Sequence, residues 1–167
     1  MNRKNTLFIT QAAMIAAIYV ALTFIVNLFG LASGAIQIRL SEALCVLPFF
    51  TFAAVPGVTI GCLLANILTG STIYDIIFGT LATLIGAIGS YLLRKHKFLV
   101  PIPPIVANTI IIPIVLKWSG LVDDAIPFLM LTVGIGEVIS CGLCGLLLIF
   151  ACEKSGLKIF KNTELMK

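Results

Sequence analysis

The sequence predicts an all-α, polytopic membrane protein, a six-transmembrane-helix bundle with both termini cytoplasmic. Two observations carry that prediction. Of 167 residues, 60% are hydrophobic and 11% charged, with a mean hydropathy of +1.16, whereas soluble domains run near 45–50% and about 25%. A chain this short cannot hide so much apolar surface from water. The basic residues fall into three clusters: Arg3 with Lys4; Arg94, Lys95 and Lys97; and Lys154, Lys158, Lys161 and Lys167. Six spans place all three on the cytoplasmic side, where lysine and arginine accumulate, and leave Arg39 and Lys117 outside.

The composition argues against a soluble enzyme, a disordered tail or a nucleic-acid-binding domain. A β-barrel is disfavoured because Ile9 to Leu28 and Leu143 to Phe150 are apolar on every face, while barrel strands alternate. Six spans of roughly 20 residues nearly exhaust the chain, so no room is expected for a soluble catalytic or nucleotide-binding domain. No Walker-type Gly-rich loop, His-Glu-x-x-His or Gly-x-Ser-x-Gly is present. The expectation is one six-helix membrane domain that is not an enzyme and borrows any energy source from partners.

The spans are expected at 7–29, 43–55, 56–69, 73–93, 99–117 and 125–151. The first follows Met-Asn-Arg-Lys-Asn but is longer than a signal-peptide core of about 7–15 residues, so it is read as retained. It carries Ala12-x-x-x-Ala16 and Ala13-x-x-x-Ala17-x-x-x-Ala21, a smooth surface for a neighbouring helix or a separate membrane protein. Leu31 to Ala35 and the amphiphilic Ile36 to Glu42, with Gln37, Arg39, Ser41 and Glu42, read as an ordered external loop. Arg39 and Glu42 can pair at a helix start with Ser41 as cap, or the loop can form a lid over a ligand. A turn at Pro56-Gly57 separates the second and third spans, each only about 20 Å long. A single kinked span there would move the second and third basic clusters outside. Gly57-x-x-x-Gly61, Gly86 with Gly89, and Gly134, Gly136, Gly142 and Gly145 mark close helix approaches.

Cys45, Cys62, Cys141, Cys144 and Cys152 all fall within expected spans. Cys141-x-x-Cys144 lacks the two further ligands a zinc site needs, and His96 lies in a basic loop, so no metal and no cofactor is expected.

An ionisable residue inside a span costs about 2.5–3.5 kcal/mol on insertion scales and marks a candidate site. Glu137, near the middle of the sixth span, is the clearest. Asn108 and Asn66 lie about 14 and 15 Å along their helices, at a depth similar to Glu137. The three can line one polar cavity, or lock helices together as interhelical hydrogen bonds. Closer to the outer side lie Arg39, Ser41 and Glu42, then Tyr74, Asp75 and Thr80.

Arg39-Leu-Ser-Glu-Ala-Leu, Val46-Leu-Pro-Phe-Phe, Asp75-Ile-Ile-Phe-Gly-Thr-Leu-Ala-Thr-Leu, Pro101-Ile-Pro-Pro-Ile-Val-Ala-Asn108 and Val133-Gly-Ile-Gly-Glu137 together resemble the QueT family. Its members are regarded as queuosine-precursor transporters, substrate-binding S components of energy-coupling factor (ECF) transporters. The resemblance covers Thr10 to Leu147. It implies a multi-pass protein of a prokaryotic plasma membrane that captures a 7-deazaguanine, queuine or one of its precursors, from outside. It also implies docking, through Ala13 and Ala17 or Ala12 and Ala16, onto a module of one transmembrane coupling protein and two ATPases. On this reading the substrate-binding residues are Glu137, Asn108, Asn66, Arg39, Glu42, Asp75 and Tyr74. A carboxylate at Glu137 would accept two parallel hydrogen bonds from a guanine-like edge. Asn108 or Asn66 would read the opposite edge, and Tyr74 or Phe78 would stack on the ring. The alternatives are an S component for another vitamin-like nutrient, or a membrane scaffold or assembly protein in which these groups only join helices.

Overall fold

A computed structural model describes residues 3–29, 39–118, 120 and 124–155. The expected lid over 31–38 with Gln37, together with Asp123, Lys158, Lys161 and Lys167, lies outside the described residues.

Helix α1 (Arg3–Leu28) is followed by a 3-10 helix (Leu40–Phe49) and α2 (Ala54–Leu68). A π-helical turn (Asp75–Gly79) leads into α3 (Thr80–Leu92), and then comes α4 (Ile102–Trp118). Helix α5 (Ile126–Glu137) continues through a π-helical segment (Val138–Cys144) into α6 (Gly145–Ser155). No strand occurs among the described residues. Among the described residues three continuous stretches, Arg3–Leu28, Asp75–Leu92 and Ile126–Ser155, are long and apolar enough to cross a membrane, and the other three helices are shorter and apolar. Ile18, Leu64, Ile85, Ile110, Leu131 and Leu147 point outward, while Gln11, Glu42, Asn66, Asn108 and Glu137 are buried. Apolar side chains outside and hydrogen-bonded polar ones inside suit a lipid solvent. The protein is therefore a helical membrane protein.

The 3-10 helix is the axis of the bundle. It packs against α1, α2, α3, the second π-helical segment and α6, and Ser41 to Pro48 are all buried. Leu44, Cys45, Val46 and Leu47 join Val55, Val58, Cys62, Ala87, Val100 and Ile149 in one core. Glu42, which the sequence placed in an external loop, belongs to the first turn of this helix, its N–H bonded to the Arg39 carbonyl at 2.9 Å.

The turn expected at Pro56-Gly57 falls earlier, between Phe49 and Ala54. Thr51 makes it: its hydroxyl accepts the Ala53 N–H at 3.3 Å and donates to the Gln11 side chain at 3.2 Å. Pro56 then sits in the first turn of α2, where its missing N–H would have had no intrahelical acceptor. Helix α2 ends in a Schellman motif. Gly70 takes φ +71°, and the N–H groups of Ser71 and Gly70 return to the carbonyls of Asn66 and Ile67 at 3.0 and 3.2 Å.

Helices α1 and α2 touch along their small residues. A Cβ on Gly61 would lie 2.7 Å from the Tyr19 Cβ and 3.1 Å from the Ala16 Cα, and one on Gly57 would lie 3.0 Å from the Ala12 carbonyl. Ala12 and Ala16 therefore face α2, while Ala13 and Ala17 are exposed on the outer side.

The described members of the basic clusters gather at one end of the bundle. Phe52 meets Phe8 of α1 at 6.3 Å and Tyr91 at 5.0 Å, and Arg94 lies 4.2 Å over the Tyr91 ring. Lys97 pairs with Glu153 of α6 at 3.3 Å. Arg39, Asp75, Tyr74 and Trp118 occupy the opposite end, where the last two rings stand 6.3 Å apart.

Candidate functional site

At that second end a cavity of about 220 Å³ opens between α1, the start of the 3-10 helix, the end of α2, the first π-helical turn and α4. Tyr19, Thr23 and Asn27 line it from α1; Arg39, Ser41, Asn66, Thr69, Ser71 and Asp75 form the polar wall; Val26, Ile112 and Leu116 complete it. The Schellman turn at Gly70 is what brings Thr69 and Ser71 to the rim, their hydroxyls 3.2 Å apart. Asn66 ties α2 to the π-helical turn by donating to the Asp75 carbonyl at 3.3 Å. Thr72 fixes Asp75 reciprocally, its hydroxyl donating to Oδ2 at 2.9 Å and accepting the Asp75 N–H at 3.3 Å. Drug-sized ligands occupy pockets of about 300–1,000 Å³; this space suits a smaller molecule with several hydrogen-bonding groups.

Behind the Tyr19 wall lies a second polar group, closed to solvent. Tyr19 donates its hydroxyl proton to Glu42 Oε1. The Cys45 thiol donates to Glu42 Oε2 at 3.1 Å, and Asn108 Nδ2 lies 3.4 Å from the same oxygen. Asn108 Nδ2 also donates to Glu137 Oε1 at 3.1 Å, so one amide bridges two carboxyl groups whose residues are 1% and 6% exposed. Glu137 Oε2 and the Ser140 hydroxyl have no partner among the described residues, and neither do the hydroxyls of Thr80 and Thr109. A bare buried acceptor costs about 1–3 kcal/mol, and in a native fold it calls for an occupant or a function.

The structure thus divides the sequence-derived candidates into two groups. Glu42, Asn108 and Glu137 form the buried network; Arg39, Asn66 and Asp75 line the cavity. Asn66 bonds Cys62 and Asp75 rather than the Glu137 layer, so similar depth did not place the three polar residues around one point. Arg39 and Glu42 form no ion pair: the carboxylate turns inward to Tyr19, Cys45 and Asn108. Ser41 is not a cap, because the N-cap position is Arg39, without a side-chain bond. Tyr74 is 43% exposed against Trp118 and, like Phe78, does not line the cavity. The aromatic wall is Tyr19, a residue the sequence reading passed over, as it did Thr23 and Asn27. The spacing Tyr19, Thr23, Val26, Asn27 is one helical face, a signal that was available.

Ala13, Ala17 and Ala21, with Ala16 at its floor, line a shallow outer groove with Ile60, Leu64 and Leu68. All five cysteines are free thiols, and no group of three or more His, Cys, Asp or Glu suited to a metal occurs among the described residues. Cys141 lies 4.0 Å from the Pro101 carbonyl, in helix packing.

The fold and the polar cavity define a class, helical membrane proteins built around a small ligand-sized space. The model of the QueT transporter family matches residues 9–154, and the chain belongs to that family. It is 39% identical over 85 residues to the queuosine precursor transporter QueT of Lactococcus lactis subsp. cremoris (strain MG1363). That stretch is 51% of this chain and 50% of the relative, so the match spans about half the relative's length. No solved structure matches.

Proposed function

We propose that the chain is the substrate-capturing S component of an ECF transporter and binds a 7-deazaguanine precursor of queuosine. The observation that carries this reading is the cavity, with Arg39, Asn66, Asp75 and Tyr19 on its wall, in a member of a transporter family. Asp75 accepts the N1–H and 2-amino protons of the guanine-like edge. Arg39 donates to the ring carbonyl oxygen, Asn66 bonds the remaining edge, and Tyr19 stacks on the ring, an interaction worth about 1–3 kcal/mol per base. Glu137, the sequence's choice for the guanine edge, lies outside the cavity lining, and so the wall carboxylate takes that role.

The six helical segments act as six spans, with both termini in the cytoplasm of a prokaryotic cell. The gathering of Arg94, Lys97 and the Arg3 end of α1 opposite the cavity supports this, because it points the cavity outward under the positive-inside rule. Ala13 and Ala17, exposed on α1, dock onto the coupling protein of a module that supplies two ATPases; Ala12 and Ala16 are already occupied by α2. Ligand binding to the purified chain tests the proposal. Asp75→Asn and Arg39→Gln are expected to lower affinity for queuine or its aminomethyl precursor by tenfold or more, and unchanged affinity in both variants would refute it.

A further inference from the structure

Several hydrogen-bond donors on the cavity wall are committed to the protein itself. Tyr19 gives its hydroxyl proton to Glu42, Thr23 gives its own to the Tyr19 carbonyl at 2.9 Å, and Thr69 donates to the Ala65 carbonyl at 2.8 Å. With the Thr69 proton so engaged, Ser71 is the donor in the 3.2 Å contact between the two hydroxyls. Asn66 is committed most completely. Its Nδ2 carries two protons and has two acceptors, the Asp75 carbonyl at 3.3 Å and Cys62 Sγ at 3.5 Å. A backbone carbonyl can only accept, so the nitrogen must face it and the amide has one orientation. Gly79 leaves room for that nitrogen: a Cβ there would lie 3.3 Å from Nδ2. What Asn66 has left for a ligand is the acceptor Oδ1, on a residue that lines the cavity and is 5% exposed.

We infer that Asn66 is a specificity-determining residue that accepts a ring N–H, the N9–H of the deazaguanine, so that the cavity takes the free base and turns away forms substituted at N9, nucleosides among them. The inference rests on the proposed ligand class and narrows it. With Asp75 on the N1–H and 2-amino group and Arg39 on the ring carbonyl, the polar edge left for Asn66 is N3–N9. That edge carries one acceptor, N3, and one donor, N9–H, and an acceptor-only side chain reads the donor. A substituent on N9 removes the proton and leaves Oδ1 bare; a site built to bond an N–H rejects the analogue that lacks it. Asn66 is held between Cys62 and the π-helical turn, so an N9 bonded to it points into the wall, and a sugar there would run into α2 and Asp75.

The experiment uses the full chain in lipid nanodiscs with two probes, 7-aminomethyl-7-deazaguanine and its 9-methyl derivative, titrated calorimetrically. The 9-methyl form is expected to bind about tenfold more weakly or worse, the range for stranding one buried acceptor. Asn66→Leu should weaken the unmethylated base by about tenfold and bring the two probes to within about threefold of each other. A merely structural Asn66 would weaken both probes alike, and a ratio that survives the substitution overturns the inference. Equal or tighter binding of the 9-methyl form to the unmodified chain also overturns it and leaves the deazaguanine reading standing. Failure of both probes overturns the two together. A thermal unfolding scan accompanies the variant; if it does not fold, Asn66→Ser, whose shorter side chain withdraws the oxygen, replaces it, and if neither folds the ratio on the unmodified chain decides.

Discussion

Two carboxyl groups share one amide in the middle of this bundle, yet they are built differently. Glu42 lies in a helix whose neighbours are all buried, and its oxygens are taken by Tyr19, Cys45 and Asn108. Glu137 lies where an α-helix gives way to a π-helical segment, with Asn108 on one oxygen and nothing on the other. The first is closed by the fold's own donors and the second is left open. Complete satisfaction makes a polar residue a structural joint between helices. The π-helical segment beside it is a distortion frequent at functional sites.

Substitutions at the two positions should therefore differ in their cost to the fold. Glu42→Ala strands the Tyr19, Cys45 and Asn108 donors together and should cost about 3 kcal/mol or more, read from unfolding in mixed detergent. A smaller loss than in Glu137→Ala would break the comparison. Tyr19→Phe removes one hydrogen bond to a charged group and should cost about 1.5–3 kcal/mol, with the cavity's aromatic wall retained. Gly61→Val sharpens the contrast from outside the network. It forces α2 away from Tyr19 and should cost about 1–3 kcal/mol, lowering the unfolding midpoint and ligand affinity together because Tyr19 is displaced. Glu137→Gln should change stability by less than about 1 kcal/mol, as an isosteric change at an oxygen that already lacks a partner, read from the same unfolding measurement. Ala13→Trp with Ala17→Trp should have the smallest effect on stability, within about 0.5 kcal/mol for exposed positions. That double variant should nevertheless abolish co-purification with the coupling protein, and retained co-purification would remove the docking role.

Much of this was legible in the chain. Apolar runs and glycine spacing announced a helical membrane bundle, the cost of an ionisable group in lipid singled out Glu137, and depth along its helix added Asn108. Glu42 was misplaced because Arg-Leu-Ser-Glu is polar enough to read as a loop. Only tertiary packing shows that the next turn is buried on every side. Tyr19 was passed over for a related reason: in an apolar helix a tyrosine reads as bulk, and although it shares a helical face with Thr23 and Asn27, its partner lies 23 residues away. Pro56 misled because proline is as much at home in the first turn of a helix as in the turn before it. The π-helical segments have no local signature, since they arise where packing, here beside Asp75 and Glu137, demands one residue more than an α-turn provides.

Helix α1 carries Tyr19, Thr23 and Asn27 on one face and Ala13, Ala17 and Ala21 on another, while Gly57 and Gly61 hold it hard against α2. It is a party wall. On the proposed reading, nutrient and energising module press on opposite sides of one rigid rod, and any shift that either imposes is felt by the other. Thermodynamic linkage then requires reciprocity: if docking to the module loosens the grip on the nutrient by some factor, a bound nutrient must weaken docking by that same factor.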